Sequence, residues 1–300
     1  MKSGVLNLYK ERGMTSHDAV ARVRRLYGTK KVGHTGTLDP EAEGVLPILV
    51  GGAVKASEFF LEGKKEYRAT VRFGFSTDTE DIWGRVTEQN GALPAKEDFV
   101  SAVNGFPEEY LQTAPSYSAV KVNGKKLYEY ARLGVEVERP RRQVKIYSLT
   151  LLSFSGSEAE LSVSCSKGTY IRTLLCDLCR NAGVLGSMSA LCREKSGGFL
   201  LEEALRLEEL EKMSPSEREE ALLPTERLFA EYPVLAPAPF FARLIQNGCA
   251  VKAEKCGLTG AEKAGSRYRL YNECGFFALG ELRDDPEGLL LFKRKDFSKE

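Results

Sequence analysis

The sequence predicts an α+β fold built on an extended sheet, followed by a small β-rich module. Three observations carry this. Strand and helix patterns interleave without regular βαβ alternation, one stretch alternates strictly between apolar and polar or small residues, and a proline cluster precedes the last strands. The alternating stretch is Tyr67, Ala69, Val71, Phe73 and Phe75, a strand with one buried face. Earlier, Val5–Tyr9 reads as a strand. A helix then follows, with Ser16 as N-cap, Ala19, Val20, Val23, Leu26 and Tyr27 on one face, and Gly28 at its end. A polar loop, Gly33–Pro40, leads to a buried strand over Val45–Val50 and a helix over Ala53–Leu61. Further strands are expected near Ser118–Val122, Val144–Phe154 and Ala159–Cys165, and helices over Lys96–Val103, Lys126–Arg132 and Ile171–Asn181. Leu201–Leu223 is glutamate-rich and reads as helical. Pro224, Pro233, Pro237 and Pro239 mark a boundary, which divides the chain into residues 1–228 and 229–300. Short strands are expected beyond it at Arg267–Tyr271, Phe276–Glu281 and Leu289–Phe292.

Composition narrows the class. With 300 residues, 42% hydrophobic and 28% charged, the chain can bury a sizeable core. The longest weakly charged run, Gly44–Val54, is too short to span a bilayer, and Met1–Gly4 leads into a strand rather than a signal core. The expected location is the cytoplasm. Seven cysteines fit no disulfide framework, and Cys176 and Cys179 form a lone CxxC inside a helical pattern, where they read as packed thiols. With only two histidines, His17 and His34, no metal site is expected, and no cofactor motif is visible. Net charge is +1, but its distribution is uneven. Arg22, Arg24, Arg25, Lys30 and Lys31 come with no acid among them. Lys121, Lys125, Lys126, Arg132, Arg139, Arg141, Arg142 and Lys145 crowd a later stretch, and acids collect from Glu202 to Glu231. A basic face fits a polyanionic partner and equally fits solvated helix surface; charge alone does not separate the two.

Asp39 is the residue most open to chemistry. In Gly33-His34-Thr35-Gly36-Thr37-Leu38-Asp39-Pro40, glycines free the backbone and Pro40 discourages helix, so a carboxylate is presented on a loop. Taken alone, Asp-Pro is also an ordinary turn. The segment, followed by Gly44-Val45-Leu46-Pro47, resembles the active-site signature of the TruB family of tRNA pseudouridine-55 synthases. Further segments resemble that family in the same order. They are Lys65-Glu66-Tyr67-Arg68, Thr77-Asp78-Thr79-Glu80-Asp81 with Gly84, Pro115–Lys121, Gly124–Arg132, and Ser166-Lys167-Gly168-Thr169-Tyr170-Ile171-Arg172. The opening Lys10–Ser16 departs from the family in lacking a proline after the lysine.

The resemblance implies a pseudouridine synthase fold with a mixed, mainly antiparallel sheet, an RNA-contacting thumb near residues 116–140, and a PUA-like RNA-binding module over 229–300. It assigns catalysis to Asp39, as nucleophile at C1′ or as base toward the 2′ proton. Arg172 would hold Asp39 ionised and aimed, and Tyr67 would stack on an extruded base. Tyr170 and Leu191 would line the same pocket, Asp81 would make a polar contact near it, and His34 would touch the RNA loop. Lys125 and Lys126 would meet phosphates. Because the reaction is redox-neutral and gains no atoms, no cofactor is implied. The implied substrate is the T-arm of tRNA, bound by a monomer without guide RNA or membrane. Two alternatives use the same features: a non-catalytic RNA-binding protein, and the RNA-guided pseudouridine synthase of archaea and eukaryotes. The joint presence of Asp39, Arg172, Tyr67 and Tyr170 argues against the first. A compact chain without long basic extensions argues against the second.

Overall fold

The structure is a computed structural model that describes residues 2–60, 63–259, 261–286 and 288–298. Among these, the larger sheet has nine strands. Its main path runs Gly4–Lys10, Glu43–Val50, Gly186–Ser196, Lys65–Phe73, Glu158–Cys165, Arg141–Phe154 and Glu109–Thr113. Val32–His34 pairs with Glu43–Val50, and Phe199–Leu200 with Gly186–Ser196. Every pairing is antiparallel except that of Gly186–Ser196 with Glu43–Val50, so the sheet is mixed and mainly antiparallel, as expected. Gly44 permits the parallel contact. A Cβ there would lie 2.3 Å from the Arg193 carbonyl oxygen, and its φ of +105° suits glycine alone.

Alternation along the strands divides the core. Leu6, Leu8, Leu46 and Ile48 face one side, with Ala19, Val20 and Val23 of helix Ser16–Leu26 and Leu174, Leu175 and Leu178 of helix Ile171–Asn181. Val5, Val45 and Leu49 face the other, where they meet Phe59, Phe199, Phe229, Leu279 and Phe297. Leu279 and Phe297 belong to the C-terminal part, a five-stranded sheet in the order Val234–Leu235, Arg267–Asn272, Gly275–Asp285, Gly288–Asp296, Val251–Lys252. Phe229, next to the expected boundary, is buried in this shared cluster, 5.5 Å from the Phe297 ring and 6.0 Å from that of Phe59. The two sheets therefore meet across a packed aromatic junction.

Several local expectations change. The first helix is capped by Thr15, not Ser16: Thr15 Oγ1 accepts from the Asp18 N–H, and the Asp18 carboxylate accepts from the Thr15 N–H, a reciprocal capping box. Gly33 and His34 lie in strand Val32–His34 rather than in the loop. The helix expected over Ala53–Leu61 is a 3-10 turn, Gly51–Ala56, leading into helix Ser57–Phe60; Leu61 lies outside the described residues. The strand near Ser118–Val122 shrinks to Lys121–Val122, hairpinned with Lys125–Lys126. The glutamate-rich stretch is broken into Leu201–Glu203, Leu207–Lys212 and Pro215–Glu220. Helix Pro239–Gln246 begins inside the proline cluster, with Pro239 at its first turn, where a missing N–H costs nothing. Among the described residues no helix is long and apolar enough to cross a membrane.

Candidate active site

The Asp39 loop is tied down from both flanks. Ser16, freed from capping, turns inward: its Oγ donates to the Leu38 carbonyl at 3.0 Å and accepts from the Leu38 N–H at 2.9 Å. Lys10 is fully buried, and its ammonium donates to the carbonyls of Pro40 at 3.0 Å and Ala42 at 2.6 Å. Burial lowers the Lys10 pKa to about 8, with the nearby Asp39 carboxylate pulling it back up. The Gly13 N–H also donates to Pro40 O at 3.0 Å. Backbone rather than side chain is gripped, which leaves the Asp39 carboxylate free to face outward.

Its partner is Arg172. The guanidinium Nε stands 2.9 Å from Asp39 Oδ2; the arginine side chain is 5% exposed and the aspartate 41%. The remaining donors are used to fix the guanidinium: Nη1 to Thr79 O at 2.6 Å, Nη2 to Tyr117 O at 3.0 Å. Nη1 also lies 3.8 Å from Asp81. Arg172 thus joins the Asp39 loop, the Thr77–Gly84 turn and the Pro115–Lys121 segment. The turn holds its shape through Asp81, which accepts from the Thr79 hydroxyl at 2.6 Å and the Trp83 N–H at 3.2 Å. Burial raises the Asp81 pKa, while Thr79 and Arg172 pull it down. Gly84 is required there, since a Cβ would fall 2.1 Å from Thr79 Oγ1.

These groups open on a cavity of about 1180 Å³ whose walls include Asp39, Tyr67, Asp81, Tyr170, Arg172 and Leu191. Six of the residues expected at the site are thereby brought together. Burial raises the Tyr67 phenol, with the Arg193 guanidinium beside it acting the opposite way. Tyr170 is anchored by Gln112, which accepts from its N–H at 2.8 Å and donates to its carbonyl at 3.1 Å; the Arg142 guanidinium lies 5.3 Å from its ring. His34, Lys125 and Lys126 are not among the wall residues. His34 packs edge-on against His17 at 6.3 Å, and its Nδ1 accepts from the Gly36 N–H. Burial lowers its pKa. Lys125 is exposed on the thumb hairpin, and Lys126 is drawn to the Tyr128 ring at 5.3 Å.

Sequence reasoning missed Lys65 and Arg193. Both are buried cations in the cavity wall. Arg193 donates to Val45 O at 2.7 Å and Gly36 O at 3.1 Å, and burial brings the Lys65 pKa down to about 8. Strand periodicity points to Lys65, two residues before Tyr67 on the same face, whereas Arg193, two after Leu191, lies in a strand whose polar residues hide its period. Lys121, Arg132, Arg141, Arg142 and Lys167 line the rest, against the acids Asp39, Glu41 and Asp81. Cations therefore outnumber acids in the cavity wall.

Comparison with known proteins gives the family. Residues 24–171 match the model of the TruB family pseudouridylate synthase N-terminal domain. The chain is 41% identical over 300 residues to the tRNA pseudouridine synthase B of Alkaliphilus oremlandii, spanning 99% of this chain and 100% of that protein. It is 39% identical to the same-named protein of Clostridium tetani, over 93% of this chain and 95% of that one. Among solved structures, a chain of a Cbf5-Nop10-Gar1 complex superposes with a TM-score of 0.74 at 25% identity, covering 98% of this chain and 84% of its own. With relatives of this identity matched over almost its whole length, the chain belongs to the TruB family of pseudouridylate synthases.

Proposed function

We propose that the chain isomerises uridine-55 in the T-loop of tRNA to pseudouridine, by extruding the base and rearranging its glycosidic bond through Asp39. The observation that carries the reading is the half-exposed Asp39 carboxylate held at 2.9 Å by a buried Arg172 in the wall of a cationic cavity. Bacterial relatives of nearly equal length, named tRNA pseudouridine synthase B, support tRNA as the substrate. In this reading the uracil enters between Tyr67 and Leu191, stacked on the phenol ring. The C1′–N1 bond breaks, the base turns, and C1′ joins C5; the C5 proton leaves and N1 regains one, so nothing is added or oxidised. Asp39 serves as nucleophile at C1′ or as base toward the 2′ proton, and Arg172, 2.9 Å away, aims the carboxylate that either route uses. Lys65 and Arg193 offer positive charge to the base while it is detached.

Residues 1–228 would carry this chemistry, with 229–300 as a PUA-like module that positions the tRNA through phosphates. The thumb lysines Lys125 and Lys126, and His34, would contact RNA outside the base pocket. The enzyme would work in the cytoplasm as a monomer, without guide RNA or cofactor. The test is incubation with unmodified tRNA, followed by pseudouridine mapping at single-nucleotide resolution. Conversion at position 55 alone, without added RNA or protein, is expected. Conversion elsewhere, or only after guide RNA and accessory proteins are supplied, contradicts the proposal.

A further inference from the structure

Trp83 is the chain's only tryptophan, and 42% of it is exposed. Its backbone N–H donates to Asp81 Oδ1, and the other Asp81 oxygen lies 3.8 Å from the Arg172 guanidinium that holds Asp39. The Arg12 guanidinium carbon lies 5.9 Å from the indole centroid, at the outer reach of a cation–π contact. Arg12 is itself exposed, makes no ion pair among the described residues, and sits beside Gly13, whose N–H donates to Pro40. The indole and guanidinium thus link the Asp81 turn to the Glu11–Thr15 turn, which is itself bonded to the Asp39 loop through Gly13 and Pro40. Neither the core nor the Asp39–Arg172 pair uses them.

We infer that Trp83 and Arg12 form a platform for a nucleotide flanking the extruded uridine, the indole stacking on its base and the guanidinium meeting its phosphate. The inference rests on reading the cavity as an RNA site. Extruding one base breaks the stacks on both sides, and a neighbouring base regains that contact from an aromatic face. The cations in the adjoining cavity match a phosphate chain, and one indole beside an unpaired arginine offers too little apolar area to seat a protein partner.

Because Trp83 is alone, its fluorescence reports on the platform directly. An unmodified T-arm stem-loop is titrated into the Asp39→Asn chain, with RNA binding followed in parallel by filter retention. Quenching should saturate together with retention and should fall by at least half when one nucleotide beside the target is made abasic. Trp83→Ala should raise KM about ten-fold with most of kcat kept, and Trp83→Phe should restore it. Normal retention with unchanged fluorescence, or quenching that survives abasic substitution on both sides, overturns the platform. Fluorescence and retention need no turnover, so a wild-type chain that binds the stem-loop without making pseudouridine would overturn the proposed function separately.

Discussion

Buried charge separates the two sheets. Around the cavity of the larger one, Lys10, Lys65, Arg172 and Arg193 are each 8% exposed or less, whereas from residue 234 onward no charged side chain is buried among the described residues. The C-terminal core of Leu270, Phe277, Leu282 and Leu291 is apolar, and the least exposed charges beside it, such as Glu281 with Arg267, pair near the surface. Taking a cation out of water costs several kcal/mol unless hydrogen bonds and counter-charges compensate. Here they do so through carbonyls: those of Pro40 and Ala42 for Lys10, of Thr79 and Tyr117 for Arg172, and of Gly36 and Val45 for Arg193. In the first region Arg172 reaches the Asp39 carboxylate and Lys10 holds the backbone just after it.

If the contrast is functional, breaking a buried cation should cost far more activity than removing the whole second sheet. Arg172→Met should lower single-turnover pseudouridine formation roughly 100- to 1,000-fold, as losing a preorganised electrostatic partner does. Arg172→Lys should recover little, because an ammonium cannot serve Asp39, Thr79 and Tyr117 from one fork. Near wild-type rates in either variant would make Arg172 a merely structural residue.

Ending the chain at Phe229 should have a smaller effect. It removes Phe297 and Phe276 from the shared aromatic cluster, so the unfolding midpoint should drop. Activity on an isolated T-arm stem-loop should remain within about ten-fold, while full-length tRNA binds less tightly. A truncated chain that is folded by circular dichroism yet inactive on the stem-loop would show that the second sheet completes the site.

Lys65 sharpens the contrast through pH. Its folded pKa is lowered to about 8 from an ordinary 10.5, mainly by burial. Below about 8 the lysine is protonated in both states; from there to 10.5 the unfolded chain holds a proton that the native one has released. Native stability attributable to Lys65 therefore rises with pH across that window. The melting temperature of the wild type should gain on that of Lys65→Met between pH 8 and pH 10. A constant difference would mean that the lysine stays charged in its pocket.

The smallest effect concerns the thiols. Burial raises Cys165, Cys192 and Cys256 to about 11 and Cys179 to about 12, and it lifts Cys176 as well. Only Cys249 and Cys274 are exposed. A thiol-reactive dye at pH 8 should label these two quickly and the others only on unfolding. Fast labelling of Cys176 or Cys179 would reopen the CxxC as a reactive pair.

What could be read from the sequence followed local rules. Helix Ile171–Asn181 and strand Lys65–Phe73 were visible because periodicity and burial coincide there. Gly186–Ser196, which lies between Glu43–Val50 and Lys65–Phe73 in the sheet, was missed because Ser187, Ser189, Arg193, Glu194 and Lys195 mask its pattern. Its polar residues are partnered by tertiary contacts that no local rule reveals, such as Arg68 on Glu194 at 2.8 Å. Asp39, Arg172, Tyr67, Tyr170, Asp81 and Leu191 were found through motif resemblance and share one cavity. Lys125 and Lys126 follow from charge density within the Gly124–Arg132 segment that resembles the family. Charge density identifies a basic stretch but not which way each side chain turns, and the wall receives Lys121, Arg132, Arg141 and Arg142 instead.

In the proposed reaction Asp39 performs the chemistry while the surrounding cations and aromatics bind. Asp39→Asn keeps the volume of the side chain and removes its charge, nucleophilicity and basicity. The decisive measurement is tritium release from tRNA labelled at C5 of uridine, made alongside a binding isotherm on the same folded variant. The account predicts no detectable release with tRNA affinity within a few-fold of wild type, since phosphates and stacking supply most of the binding. Release at a near wild-type rate from folded Asp39→Asn would contradict it.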